Sequence, residues 1–426
     1  MAPSTLAYVV WEITLRCDLS CGHCGSRAGK ARGDELTTDE ALDVVRQIAA
    51  MGVKEVTLIG GEAYLRDDWT QIARAIRNAG MDCTMTTGGR GMTPERARLA
   101  FEAGIQSVSV SIDGIGETHD FQRGVKGSFE AACASIRNLA RAGLQVAVNS
   151  QINRLSYPEL DEILNLLATE GCHSWQVQLT VPMGRAADHP EWLLQPHELL
   201  YVIPKVADLV VAAEKRRIRV WTGNNVGYFG PHESELRRWT FGENAHGSSC
   251  GAGISTLGIE ADGAIKGCPS LPTTSWTGGH IRDHSLLDIW EKTSELRYTR
   301  DRTTQDLWGF CRSCYYADLC RAGCTWTSHV ILGKPGNNPY CHHRALEMQS
   351  RGLRERLVLA EAAPGLPFDH GRFDIVVEPY ADEGVARAST ERLPRRGRLP
   401  LVSSTEPMFA DNVTIEGVSA RPETAD

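Results

Sequence analysis

Strand-like and helix-like segments alternate along the first 180 residues, and this alternation constrains the fold more than any other feature. Apolar segments of strand length occur at 8–14, 54–60, 82–87, 106–112, 144–150 and 173–179. Amphipathic helical segments with short joints lie between them, and Thr37 with Glu40 can form a capping box at the start of the first. The pattern predicts βαβ units around a parallel sheet, either doubly wound or an incomplete (β/α) barrel. In both folds the chemistry belongs at the carboxyl ends of the strands.

Length, composition and charge exclude several other classes of protein. The 426 residues, 42% hydrophobic and 23% charged, suffice for two to four globular domains. No apolar run approaches the roughly 20 residues that span a bilayer, and the N-terminus has no secretory signal, so we expect a soluble cytoplasmic protein. A net charge of −8 offers no general attraction to nucleic acid or anionic lipid. We therefore expect neither nucleic acid nor a membrane as a partner.

Thirteen cysteines are the unusual feature of the composition. Disulfides are rare in a reducing compartment, so these residues are expected to be metal ligands or buried thiols. Cys83, Cys133 and Cys172 are isolated from the others, and we expect them to lie in the core, where free cysteine is common.

Three cysteines follow the first predicted strand in the pattern C-x3-C-x2-C, at Cys17, Cys21 and Cys24. Three thiolates on one loop can hold three irons of a [4Fe-4S] cluster and leave the fourth iron open. A zinc site with His23 as its fourth ligand is equally compatible with this loop alone.

Seven more cysteines lie between residues 250 and 341. They are Cys250, Cys268, Cys311, Cys314, Cys320, Cys324 and Cys341. Taken alone, the paired cysteines of 311–324 favour a zinc ribbon.

Together these motifs resemble the radical S-adenosylmethionine (SAM) enzymes that carry a C-terminal SPASM domain. The cysteine triple resembles the family signature, LIGGEAYLR at 58–66 resembles its Gly-Gly-Glu-Pro motif with Ala63 in place of proline, and the seven later cysteines match the SPASM pattern. The resemblance covers roughly residues 8–345. It implies a partial (β/α)6 TIM-like barrel followed by a small cysteine-rich iron-sulfur domain.

The resemblance also implies a division of the chain. We expect a radical SAM core at 1–180, a linker or substrate-facing insertion at 181–249, a SPASM domain at 250–345 and a C-terminal extension at 346–426. Hydrophobic periodicity is lost near the C-terminus, so the last 40 or so residues are expected to be poorly ordered.

The family's ligand sets carry over to the matching cysteines. Cys17, Cys21 and Cys24 would hold the cluster that binds SAM at its open iron. One auxiliary cluster would be completed by Cys311, Cys314, Cys320 and Cys341. The other, held by Cys250, Cys268 and Cys324, would lack one thiolate, and His246 is the nearest candidate by sequence. The residues expected to contact SAM are Gly60, Gly61, Glu62, Ser111, Asp113 and Gln178.

The implied reaction is reductive cleavage of SAM to methionine and a 5'-deoxyadenosyl radical, followed by oxidative modification of a ribosomally made peptide, in particular by crosslinking. Pro269 stands where sulfatase-maturing relatives carry an acidic residue, which disfavours formylglycine formation. A radical SAM enzyme acting on a small molecule is the alternative, and a zinc-binding interaction protein is a third hypothesis.

The expected partners follow from the same resemblance. They are a precursor peptide or small protein, a flavodoxin- or ferredoxin-type reductant, and a separate protein that recognises a leader. The second predicted strand begins so near the N-terminus that we expect no leader-recognition domain before it, and a leader would be held either by such a separate protein or by the insertion at 181–245.

Overall fold

The computed structural model describes residues 6–241 and 250–386. The strands of this part are β1 (Tyr8–Glu12), β2 (Glu55–Ile59), β3 (Asp82–Thr87), β4 (Ser107–Ser111), β5 (Gln145–Ile152), β6 (Ser174–Leu179), β7 (Arg219–Thr222), β8 (Thr256–Ile259), β9 (Ala264–Lys266), β10 (Thr277–His280), β11 (Leu353–Glu361) and β12 (Arg372–Pro379).

The helices of the same part are α1 (Thr38–Ala50), α2 (Trp69–Asn78), α3 (Pro94–Glu102), α4 (Glu117–Arg123), α5 (Ser128–Arg141), α6 (Leu160–Thr169), α7 (Leu199–Glu214), α8 (Glu233–Phe241), α9 (Thr273–Trp276), α10 (Leu286–Lys292), α11 (Ser294–Asp301), α12 (Gly309–Arg312), α13 (Ala317–Cys320), α14 (Thr325–Leu332) and α15 (His342–Ser350). None of them is long and apolar enough to cross a bilayer.

The strands β1 to β7 pair in chain order as parallel neighbours of one sheet. The six strand segments predicted from the sequence are β1 to β6, each followed by a helix that packs its apolar face on the sheet. The predicted fold class, a partial TIM-like barrel with a small C-terminal domain, is confirmed.

The C-terminal part joins the barrel through the sheet itself. β8 pairs in parallel with β1, with Tyr8 opposite Thr256 and Trp11 opposite Ile259. β9 and β10 then add antiparallel strands, so the described residues form one sheet of ten strands. β1 is consequently an interior strand of the sheet, bonded on both sides.

The first helix begins as its sequence predicts. The Thr37 side chain accepts a hydrogen bond from the Glu40 backbone, and the Glu40 side chain accepts one from the Thr37 backbone. This confirms the predicted capping box. The three isolated cysteines are also placed as expected, since Cys83, Cys133 and Cys172 are all buried.

The segment predicted as a linker or insertion adds structure to the barrel. β7 extends the parallel sheet beyond β6, and α7 packs against it. α8 completes the described part of the segment at Phe241. The proposed domain boundaries at 180, 249 and 345 remain predictions. The last 40 or so residues, expected to be poorly ordered, lie almost entirely at 387–426, outside the described residues.

A C-terminal hairpin of β11 and β12 packs back onto the barrel. Asp369, in the loop that joins the two strands, accepts a 2.8 Å hydrogen bond from Arg27. Arg27 follows the first cysteine group, so the hairpin is tied to that loop. The base of the hairpin is tied to α15, where Arg344 makes two bonds of 2.6 and 2.7 Å with Glu355.

The buried pair of Arg344 and Glu355 generates a stability prediction. Replacing Arg344 with leucine leaves the Glu355 carboxylate buried without its partner, and we expect this to lower the free energy of unfolding by about 3 kcal/mol or more. Urea unfolding followed by circular dichroism measures the effect. The matched control is Arg98→Leu, which removes two exposed pairs, with Glu95 and Glu102, and should leave the midpoint nearly unchanged. Equal midpoints for the two variants would contradict the prediction.

Candidate functional site

The first cysteine group lies on the loop after β1. Cys17, Cys21 and Cys24 pack together in one apolar cluster. Burial raises the pKa of Cys17 well above its usual value, and the neighbouring Cys21 and Cys24 raise it further. Thiols in such a site become ligands when the positive charge of a metal replaces their protons. The loop therefore offers three convergent thiols to one metal centre.

Gly60 and Gly61 follow β2 and pack directly against this loop. A Cβ atom on Gly61 would lie 2.2 Å from the Arg16 carbonyl oxygen and 2.7 Å from the Cβ of Cys17. A Cβ atom on Gly60 would lie 2.5 Å from the carbonyl oxygen of Thr14. The close contact between the two loops therefore requires glycine at both positions, and this contact holds the backbone at Cys17 in place. The contact of both glycines with SAM remains a prediction.

The Glu62 side chain lies beneath the cysteine loop. One of its oxygens accepts a 2.6 Å bond from the Gly88 backbone, and the other accepts the Thr87 hydroxyl. Burial raises the pKa of Glu62 to about 8. A Glu62 oxygen and the Cys17 sulfur lie within 4.8 Å of each other. The side chain therefore supports the loop, and its backbone remains the part predicted to contact SAM.

Asp113 joins three segments below the cysteine loop. Its carboxylate pairs with Arg123, lies 3.0 Å from Nε2 of His23, and accepts a 2.7 Å bond from the Gln151 backbone. Burial alone would raise the pKa of Asp113, but Arg123 and His23 outweigh it and hold the pKa below its usual value. Arg123 also places Nη1 3.6 Å from the sulfur of Cys21. Asp113 thus orients the surroundings of the cysteines, and its predicted contact with SAM stays untested.

A cavity of about 300 Å³ occupies the barrel lumen. Gly60 and Gln178, both predicted to contact SAM, line this cavity. Ser111 lies just behind it, hydrogen-bonded to Asn149, which lines the wall. The structure therefore brings these predicted residues together around one space.

The same cavity lies beside two of the three cysteine groups. Gly25, the residue after Cys24, lies on its wall. Pro269 and Trp326 also line it, one residue after Cys268 and two residues after Cys324. The cavity therefore extends from the first cysteine group to the group of Cys250, Cys268 and Cys324.

The Cys250 group is assembled from three distant segments. Cys250 and Cys268 share an apolar cluster with Leu271 and Trp276. Burial raises the pKa of Cys324 to about 11, and the neighbouring Cys250 adds to this. The structure thus brings together the three thiols that the sequence analysis grouped. His246, the candidate fourth ligand, lies outside the described residues.

The third group surrounds a separate and much smaller cavity. Its wall carries four cysteine side chains, those of Cys311, Cys314, Cys320 and Cys341. Backbone N–H groups of Asn338, Tyr316 and Arg344 point at three of these sulfurs, at 3.4 to 3.5 Å. Such N–H···S contacts stabilise metal-bound thiolates. Four convergent thiols with these N–H contacts fit a cluster in which the protein supplies a ligand to every iron.

Tyr228 lies between the second and third cysteine groups. Its hydroxyl accepts a 2.9 Å bond from the Cys324 backbone, and its side chain lines the cavity of the four cysteines. The residue is fully buried and adopts a positive φ of 80°, which is uncommon for a non-glycine residue. The sequence analysis missed this position, because an aromatic residue in a variable segment gives no local signal of a contact 96 residues away.

Comparison with known proteins agrees with this geometry. The model of the radical SAM superfamily matches residues 11–178, and the model of the SPASM iron-sulfur cluster-binding domain matches 250–315. The AdoMet-dependent heme synthase of Methanosarcina barkeri is 30% identical over 79% of this chain and 96% of its own length. The chain belongs to the radical SAM superfamily. It is a radical SAM enzyme whose two matched domains imply [4Fe-4S] clusters and SAM as cofactors, which favours iron-sulfur clusters over zinc.

Other similar proteins include a maturase and a solved structure of the same fold. The mycofactocin maturase MftC of Mycolicibacterium smegmatis is 30% identical over 78% of this radical SAM chain and 82% of its own. Streptococcus suis SuiB bound to its precursor peptide SuiA covers 79% of this chain and 75% of its own, with a TM-score of 0.60 and 17% identity.

The close approach of the glycine and cysteine loops predicts a loss of metal on substitution. Gly61→Ala should push the Cys17 backbone away from its position and reduce the iron content of the reconstituted protein by about four irons per chain. Iron analysis and the visible absorption spectrum measure this directly. Gly33→Ala is the matched control, because a Cβ atom at Gly33 meets nothing within 4 Å. Full iron content in Gly61→Ala would refute the proposed role of the glycine.

Proposed function

We propose that this radical SAM enzyme oxidatively modifies a ribosomally made peptide, by forming a crosslink within it. The observation that supports this function best is the lumen cavity, which adjoins both the first cysteine group and the Cys250 group. A substrate held there would lie between the site of hydrogen abstraction and a second redox centre. Radical chemistry requires such placement, because an unguided radical is quenched before it reacts.

The walls of the cavity suit a peptide backbone. Four carboxamide side chains line it, those of Asn149, Gln151, Gln176 and Gln178. The Oε1 atom of Gln151 is buried without a hydrogen-bond partner among the described residues. Carboxamides both donate and accept hydrogen bonds, as peptide groups do, so this wall can pair with an extended chain.

The thiols of the chain define where the cofactors would be held. We assign the SAM-binding cluster to Cys17, Cys21 and Cys24, one auxiliary cluster to the four cysteines around the smaller cavity, and the other to the Cys250 group. When bound there, SAM and its cluster would supply a radical able to take one hydrogen atom from the substrate, and an auxiliary cluster would offer an acceptor for the electron released as the second hydrogen leaves as a proton. The residues that line the lumen cavity would orient the substrate and exclude water.

A small-molecule substrate is the second candidate, supported by the similarity to AdoMet-dependent heme synthases. Heme carries carboxylate side chains, which proteins usually bind with arginine or lysine. Among the described residues no arginine or lysine lines the lumen cavity, and Glu12 adds a carboxylate to its wall. This charge pattern favours a peptide over a carboxylated tetrapyrrole.

The partners of the reaction remain part of the proposal. The structures of SuiB with its precursor peptide and the similarity to MftC support a peptide substrate. We further propose a flavodoxin- or ferredoxin-type protein as the electron donor and a separate leader-recognition protein.

Replacing the first cysteine group tests whether it, and not an auxiliary group, holds the cluster that cleaves SAM. The variant with Cys17, Cys21 and Cys24 all replaced by alanine should form no 5'-deoxyadenosine from SAM under dithionite, because the ligands of the cleaving cluster are gone. Its iron content should fall by about four while the auxiliary clusters persist. The matched control Cys83→Ala removes a core thiol and should retain both properties. 5'-Deoxyadenosine from the triple variant would contradict the assignment.

Peptide modification is tested by co-expression with any short peptide that is encoded beside the gene. An oxidative crosslink removes two hydrogen atoms, so mass spectrometry should show a loss of about 2 Da per crosslink. The triple cysteine variant provides the inactive control. An unchanged peptide, together with turnover of a carboxylated small molecule, would favour the second candidate.

A further inference from the structure

Glu12 carries chemistry that the proposed reaction does not use. It lies at the carboxyl end of β1, lines the lumen cavity and is 2% exposed. Its Oε1 atom accepts long hydrogen bonds from Arg32 and the Ala261 backbone, at 3.3 and 3.4 Å. Its Oε2 atom has no hydrogen-bond partner among the described residues. A buried carboxylate oxygen without a partner is unusual and requires an explanation.

The charges around Glu12 do not neutralise it. Arg32 lies 2.7 Å from Glu260 and 3.2 Å from Asp262, and Lys266 lies 2.6 Å from Glu260. Both cations are therefore paired most closely with Glu260. Three carboxylates against two cations leave one net negative charge at this wall when all five groups are ionised. Burial raises the pKa of Glu12 to about 7, so a test of this charge is made at a pH above that value.

Aromatic rings complete this part of the cavity. Tyr8, Trp326 and Phe368 all line it, and the Phe368 ring centre lies 3.9 Å from the Lys266 ammonium. The faces of such rings attract cations. A free carboxylate oxygen in an aromatic cavity with no lining lysine or arginine among the described residues is suited to an organic ammonium group.

We propose that Glu12 anchors a subsite for a positively charged ammonium group of the substrate. For a peptide, the substrate on which this assignment rests, the group is an amine close to the modified carbon. The ammonium supplies the hydrogen bond that Oε2 lacks and cancels the residual charge of the wall. Binding it would hold the substrate at the carboxyl end of β1, on the side of the first cysteine group.

Three probes of nearly equal size test the subsite without any turnover. Benzylamine is a cation, benzyl alcohol is neutral and benzoate is an anion. In the reconstituted holoenzyme with SAM bound, at pH 8, ligand-observed NMR should show benzylamine binding about tenfold more tightly than benzyl alcohol, with benzoate weakest.

Substitutions of Glu12 test whether its carboxylate causes the preference for the cation. Glu12→Gln keeps the shape of the side chain and should abolish the preference for the cation. Glu12→Asp keeps the charge and should weaken benzylamine binding while leaving benzyl alcohol unaffected. Glu130→Gln removes an exposed carboxylate on α5 that does not line the lumen, and it should behave like the native protein.

Several outcomes would overturn the proposal. They are equal binding of the three probes, a cation preference that survives in Glu12→Gln, and loss of benzylamine binding on addition of SAM, which would assign the carboxylate to SAM. The two proposals can be overturned independently. An unmodified co-expressed peptide would count against the peptide-maturase function even if the native protein still preferred benzylamine.

Discussion

The pairing of β1 with β2 on one side and β8 on the other is the constraint on which the rest of the structure depends. The carboxyl end of β1 leads to the loop of Cys17. The other flank of β1 leads to the Cys250 group, since the Tyr8 backbone donates to Ser255 and β8, paired with β1, packs against the backbone of Cys268 at Gly258. β1 therefore connects the surroundings of two proposed redox sites and supplies part of the cavity wall.

Close backbone contact and buried charge shape the first site. The two glycines after β2 allow that loop to lie against the cysteine loop at distances that a methyl group would prevent. Beneath it, Asp113 holds both His23 and Arg123, and Arg123 reaches Cys21. Asp113 and Arg123 are both buried and pair with each other, as buried charges require. Glu12 contacts Arg32 through one oxygen, and its other oxygen has no hydrogen-bond partner among the described residues, which is expected where a ligand binds.

Much of the barrel could be predicted because its signals are local. The strands β1 to β6 are apolar runs, and the capping box of α1 spans four residues. β7 and β8 could not be predicted in the same way. Each has only four residues, and β8 reads TLGI, with a glycine that weakens any strand signal. Their place in the sheet depends on partners far away in the chain, which no local pattern specifies.

The sequence by itself placed Cys17, Cys21 and Cys24 together, and likewise Cys311 and Cys314, because C-x3-C-x2-C and C-x2-C put thiols on one short loop whatever surrounds them. It also determined that the loop after β2 can approach another backbone closely, because Gly60 and Gly61 have no Cβ atom in any fold. Only the tertiary structure decided that Tyr228 separates two cysteine groups, that Phe368 from the C-terminal hairpin lines the lumen, and that Glu12 keeps a free oxygen. These properties depend on contacts between residues more than 90 positions apart in the chain and on which polar groups surround the Glu12 carboxylate. Such contacts exist only after the chain has folded.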